Sequence, residues 1–224
     1  MEGFEGLIVV GIVLIVIAAA AFGWWQAKKR REAFQALAQK LGMRYRRKDR
    51  SIASRYSFLD KLDQGSNRYA ENVLEGHYKN HPVVAFDYHY ETYSTDSKGN
   101  RKTHHHYFSF FILQQASHFP ELRIYPETMM SKFGQMLGYD DIDFESIEFS
   151  KAFTVRSTDK KFAYDICHTR MMEYMLRNKS LSVEFESQCI ALGSDGRLAV
   201  EHFESRLDLL CEIRNLIPDY LYAS

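Results

Sequence analysis

From Leu7 to Trp25 the chain reads LIVVGIVLIVIAAAAFGWW, nineteen positions without a charge. A helix needs about 20 apolar residues to cross the ~30 Å hydrocarbon core of a bilayer, so this run predicts one transmembrane helix. Trp24 and Trp25 fall where an aromatic belt belongs. A cleaved signal peptide is the competing reading, and Ala18 to Ala21 offers a small-residue run of the kind found at cleavage sites. The leading MEGFEG carries Glu2 and Glu5 and no basic residue, which a signal peptide would need.

Beyond the span the pattern changes period several times. Phe34, Leu37, Ala38 and Leu41 recur at helical spacing, so the membrane helix can continue through Glu32 to Leu41, with Gly42 as its stop. Tyr56, Phe58, Leu59 and Leu62 predict a short helix over Ser54 to Leu62. The middle then reads as strands: Tyr69 to Tyr78, a turn at His81-Pro82, and Val83 to Tyr93. In that second strand Phe86, Tyr88 and Tyr90 alternate with Asp87, His89 and Glu91, the period of two that marks a strand. Asp96 to Asn100 is a turn, and His105 to Gln115 returns as a strand. That strand is apolar on both faces near Phe108 to Leu113, hence central. Leu122 to Tyr125 adds a short strand to this antiparallel meander.

The remainder predicts a helix over Glu127 to Leu137 closed by Gly138, and a strand over Ile147 to Val155. Asp159 then caps a helix over Lys160 to Arg177, with Ala163, Ile166, Cys167, Met171, Tyr174 and Met175 on one stripe. Strands follow at Leu181 to Phe185 and Cys189 to Leu192. A turn at Gly193 to Gly196 leads to a pairing segment at Leu198 to Val200. The closing helix runs from Ser205 to Tyr222, kinked or ended by Pro218. Strands and helices are grouped rather than alternating, so the fold class is α+β: an N-terminal transmembrane helix followed by an antiparallel-sheet domain packed with helices. The division is an anchor at 1–27, a basic juxtamembrane segment at 28–50 and the domain at 51–224, with 51–140 and 141–224 as its two potential subdomains.

Charge sharpens this picture. Between Lys28 and Arg50 stand ten Lys or Arg against Glu32 and Asp49; from Ser51 onward acids exceed bases by six. Basic residues directly after the span, and none before it, predict a cytoplasmic domain and an outer N-terminus. Anionic headgroups attract such residues by about 1 kcal/mol each. Lys28, Lys29, Arg30, Arg31, Arg44, Arg46, Arg47 and Lys48 are therefore candidates to face lipid, although Lys28 to Arg31 read first as a topology signal and Arg44 to Arg50 serve equally well as a solvated face. Tyr45 interleaved among arginines also suits nucleic acid, but its place beside the bilayer favours lipid. Cys167, Cys189 and Cys211 are too few and too scattered for a disulfide framework, which fits a reducing compartment.

Histidine carries the most chemistry. His104, His105 and His106 are consecutive, with His77, His81 and His89 nearby. In a strand His104 and His106 share a face, so His104, His106, His89 and Glu91 form a candidate zinc site. The spacing matches no closed motif, and an exposed, His-rich hairpin end is the plainer account; a pH-responsive surface is a third. Cys167-His168 does not read as a catalytic dyad, because helical neighbours diverge by about 100°. Asp140, Asp141, Asp143 and Glu145 read as a solvated acidic loop that lacks the features of a calcium loop. No nucleophile elbow, phosphate loop or dinucleotide fingerprint occurs.

Over Phe149 to Leu221 the pattern Phe153, Val155, Ser157, Asp159 resembles the F-x-V-x-S-x-D signature of a bacterial family of uncharacterised membrane-anchored proteins. The resemblance implies an inner-membrane protein of unknown role and supplies no catalytic residues to carry over. The expected function is a membrane-anchored interaction or scaffold module, with an unidentified protein partner, rather than an enzyme. The alternative is a metal-binding sensor or metal-dependent hydrolase built on the His-rich hairpin.

Overall fold

Helix α1 runs unbroken from Glu2 to Leu41 in the computed structural model, which describes residues 2–128 and 141–222. It has two halves of opposite character. Leu14, Ile15 and Val16 stand 60–69% exposed, and the helix is long and apolar enough to cross a membrane. Phe34 and Ala38, four residues apart, are buried in the domain, where Phe34 meets Phe203 edge-on at 4.7 Å. The i, i+4 spacing of these apolar side chains makes the last three turns a core element. Gly42, at φ 65°, ends the helix in the left-handed conformation that glycine adopts without strain.

The rest is a six-stranded antiparallel sheet with helices on both faces. Its strands are β1 (Arg44–Asp49), β2 (Ser66–Tyr78), β3 (His81–Thr95), β4 (Arg101–Pro126), β5 (Phe153–Ser157) and β6 (Ser182–Gly193). The path is β1-β2-β3-β4-β5, and β6 also pairs with β4. The long β4 organises the sheet: residues 101–113 pair with β3, 122–126 with β5, and Phe110–Ile124 with β6. Side chains of alternate parity enter two cores. Val83, Ala85, Phe111 and Leu113 join α1 and the C-terminal helices α3 (Ile147–Ala152), α4 (Lys160–Ile166), α5 (Thr169–Arg177) and α6 (Phe203–Leu216). Val84, Phe86, Tyr88, Phe108, Phe110 and Ile112 pack against α2 (Ser51–Arg55) and the turn after it. Both faces of mid-sheet are covered, as the apolar run Phe108 to Leu113 predicts.

Several elements differ from the sequence reading. The basic stretch at 44–48, within the segment read as juxtamembrane, forms the edge strand β1. The strand expected over Ile147–Val155 is α3 followed by β5, because Ser146 caps a helix by accepting the Phe149 N–H at 3.3 Å. The helix expected over Lys160–Arg177 breaks after Ile166. His168 turns extended, accepts the Met171 N–H at 3.4 Å, and so starts α5 as an imidazole N-cap. The Ser54–Leu62 helix is instead α2 plus a 3₁₀ turn at Asp60–Leu62. The segments at 105–115 and 122–125 are one strand, as are 181–185 and 189–192. Leu198 to Val200 does not pair. The last helix stops at Leu216, because Ile217 precedes Pro218 and is extended. The predicted helix at 127–137, Gly138 and Asp140 lie largely or wholly outside the described residues.

The F-x-V-x-S-x-D stretch is a strand-to-helix joint. Phe153, Val155 and Ser157 point inward from β5, and Asp159 caps α4 by accepting the Phe162 N–H at 3.1 Å.

Candidate functional site

Strand β2 loses register twice, between Ser66 and Tyr69 and between Glu71 and Leu74. An asparagine with positive φ sits at each bulge: Asn67 at 48° and Asn72 at 53°. Asparagine tolerates this region better than other non-glycine residues, and a bulge re-aims side chains. Both asparagines serve the polar row of β3. Asn72 donates to Asp87 at 3.0 Å and accepts from the Tyr45 hydroxyl at 3.1 Å. Asn67 donates to Glu91 at 2.6 Å, and its carbonyl stands 3.2 Å from His89 Nδ1.

Asp87 is fully buried. Arg30 of α1 reaches it with two bonds, Nε at 2.9 Å and Nη2 at 2.8 Å. Ser109 of β4 adds a donor at 2.9 Å. With Asn72, that makes four donors on one carboxylate. Arg30 also bonds the Leu198 carbonyl at 2.7 Å, and the Leu198 N–H donates to Ser109 at 3.0 Å. One guanidinium thereby ties α1, the sheet and the loop after β6 at a single point. A bidentate charge-assisted pair of this kind is strong and directional.

Beside this clamp lies a cleft of about 420 Å³ lined by Arg30, Arg31, Arg47, Lys48 and Arg197, with Glu71 as its acid. Glu71 pairs with Arg197 at 2.8 Å and Asp87 takes Arg30. Among the described residues, no carboxylate lies within 4 Å of the charged nitrogens of Arg31, Arg47 or Lys48. Lys48 covers the Tyr69 ring at 3.4 Å, and Arg197 covers Tyr107 at 4.3 Å.

The eight basic residues named from sequence thus divide. Arg31, Arg47 and Lys48 line the cleft, and Arg30 is committed to Asp87. Arg44 and Arg46 turn to Glu75, at 3.2 and 2.8 Å, because their register on β1 sets them near that acid of β2. Lys28 and Lys29 lie over Trp24 and Trp25 at 5.7 and 4.1 Å.

The histidines divide by pleat. Glu91 is directly opposite His105, and His89 opposite Tyr107, so these four share the Asp87 face. His104 and His106 point to the other face, where they bond Ser94 and Thr92, each at 2.7 Å. The grouping of His104 and His106 with His89 and Glu91 therefore mixes two faces of one hairpin; His105 is the histidine that joins His89 and Glu91. His89 is 2% exposed, between Tyr69 (4.5 Å) and Tyr107 (4.7 Å). Burial lowers its pKa, and the Asn67 bond holds that of Glu91 down.

A second buried polar group was not visible in sequence. Lys61, 4% exposed, donates its Nζ to the Ser194 carbonyl at 2.9 Å and its backbone N–H to Glu184 at 3.3 Å. Glu184 lies near Asp60, Arg123 and Tyr125, and burial pushes it up to about 7. A groove of about 850 Å³, lined in part by Tyr56, His81, Gln114, Gln188 and Cys189, opens where β4 and β6 lose register around Gln114–Phe119 and Ser187. Burial pushes the Cys189 thiol up to about 12 and raises those of Cys167 and Cys211 as well. That disfavours the thiolate a nucleophile requires.

No family model matches the chain, and no curated protein matches it. Among solved structures it is similar to the crystal structure of the mycobacterial trehalose monomycolate transport factor A. The TM-score is 0.62 at 12% identity, over 86% of this chain and 96% of that one. At that identity the likeness is one of fold, and it agrees with the α+β architecture described above.

Proposed function

We propose that this chain is a single-pass, membrane-anchored interaction module of the bacterial inner membrane. Its N-terminus lies outside, its domain lies in the cytoplasm, and its cationic cleft receives an anionic lipid headgroup. The observation that carries the reading is the continuity of α1. The same helix offers an exposed apolar half to a bilayer and a buried half to the domain, and Arg30 locks the junction onto Asp87. The cleft opens at that junction, within two turns of Trp24 and Trp25, so Arg31, Arg47 and Lys48 sit at the depth where headgroups lie. Basic pockets between membrane-proximal elements suit such headgroups. The fold-level likeness to a transport factor supports an accessory role beside other membrane components, by analogy of fold alone.

The test uses the full chain in nanodiscs of mixed zwitterionic and anionic lipid, with retained lipid read by native mass spectrometry. The wild type is expected to retain anionic lipid selectively, and the triple variant R31A/R47A/K48A to lose that preference. Equal retention of both lipid classes by the wild type would contradict the proposal.

A further inference from the structure

We propose that His89, Glu91 and His105 form a site for one divalent transition-metal ion of the imidazole-binding class, zinc foremost. His89 Nε2 and His105 Nδ1 are 3.1 Å apart, His105 Nδ1 and Glu91 Oε1 3.4 Å, and His89 Nε2 and Glu91 Oε1 4.0 Å. The circle through these three atoms has a radius of about 2.1 Å, the length of a Zn–N or Zn–O bond. A shift of Oε1 by roughly 0.8 Å toward His89 would bring both of its edges to the ~3.4 Å of a tetrahedral site, with the His89–His105 edge slightly shorter at 3.1 Å.

The supporting shell is in place. The Asn67 carbonyl stands at His89 Nδ1, which fixes the proton there; Nε2 then accepts from His105 Nδ1, and an ion between the two would take the place of that shared proton as His105 shifts its own to Nε2. Glu91 is held at one oxygen by Asn67 and at the other by the Tyr93 hydroxyl at 3.1 Å. Tyr69 and Tyr107 fix the plane of the His89 ring. Exposure is graded across the donors, at 2% for His89, 12% for Glu91 and 53% for His105. An ion would therefore be held from below and open to solvent on the His105 side, with a coordination position left for water or a ligand oxygen. Three protein donors and one open position are the arrangement of a reactive or exchangeable ion, not of a closed structural one. The site depends on no lipid, so it stands or falls separately from the headgroup reading.

The full-length protein, solubilised in detergent and stripped with chelator, would be titrated with Co²⁺ alone and followed by its visible ligand-field bands, then back-titrated with Zn²⁺. One equivalent of Co²⁺ is expected, displaced by Zn²⁺. His105→Ala, His105→Gln and Glu91→Gln should each weaken binding more than about 100-fold, beyond what loss of a supporting residue costs. His104→Ala and His106→Ala should stay within about twofold of wild type. Helicity by circular dichroism should be unchanged in all five. Absence of saturable Co²⁺ binding would overturn the proposal. So would binding that survives both His105→Gln and Glu91→Gln, or that fails with His104→Ala.

Discussion

Asp87 is a fully buried carboxylate whose strongest partner arrives from a residue 57 positions earlier. Removing one member of such a pair leaves the other's desolvation uncompensated, at roughly 3–5 kcal/mol. Arg30→Ala and Asp87→Ala should therefore each lower the Tm of the purified protein by roughly 6–20 °C. The double variant should cost clearly less than the sum of the two, because it strands no charge. Additive losses in thermal melts would show that the contact is not energetically coupled. Sequence reading ranked Arg30 with its neighbours as a lipid-facing base, since nothing in KKRR distinguishes the one arginine that turns inward. Asp87 was legible as the polar member of an alternating strand. Its burial was not, because period two assigns residues to a face without saying what covers that face.

At the scale of elements, strong periodicity was readable and boundaries that rest on side-chain caps were not. β2, β3, the central part of β4, α4 and α6 follow from apolar spacing. β1 escaped, because RYRRKD offers no apolar alternation and is held by main-chain pairing to β2 and by Glu75. The break between α4 and α5 escaped because it depends on His168 acting as a cap. One bulge of β2 had a signal, Asn72 inside the stretch Tyr69 to Tyr78, whereas Asn67 lies before that stretch and its bulge had none. The pleat rule separates His105 from His104 and His106 without any structure; pairing it with Glu91 required the register.

Packing of β6 against the Asp60–Leu62 turn buries Glu184 among Lys61, Asp60, Arg123 and Tyr125. Burial and the Asp60 charge lift Glu184 to about 7 from an ordinary 4.5, against the pull of Arg123 and Lys61. The folded state then binds more protons than the unfolded one between those values, so this group's contribution falls as pH rises through that window. Glu184→Gln should gain in Tm relative to wild type on going from pH 5 to pH 8. A difference between the two proteins that is constant across that range would rule out the assignment.

At the scale of the whole molecule, α1 and β3 fix which end of the sheet lies toward the apolar half of α1. Met43, just past α1, touches Gly76, which pairs with Val83. Arg30, about 20 Å earlier along the helix and its exit, meets Asp87. Strand β3 therefore runs back toward the apolar half of α1. His89, Glu91 and the cationic cleft lie on that side, and the groove beside His81 and Gln188 lies at the other end. Because α1 enters the core without a break, no flexible linker separates its apolar half from the domain, and under the proposed membrane attachment the helix would set the height of the domain directly.

The described cysteines are all buried, so a single cysteine introduced at Arg47 or Gln188 can be spin-labelled selectively. The decisive measurement is the immersion depth of each label, for the full chain in nanodiscs, by relaxation against lipid-bound and water-soluble paramagnetic agents. A label at 47 within the headgroup layer and one at 188 in bulk water is the result predicted. Equal exposure of both labels to water would contradict the account.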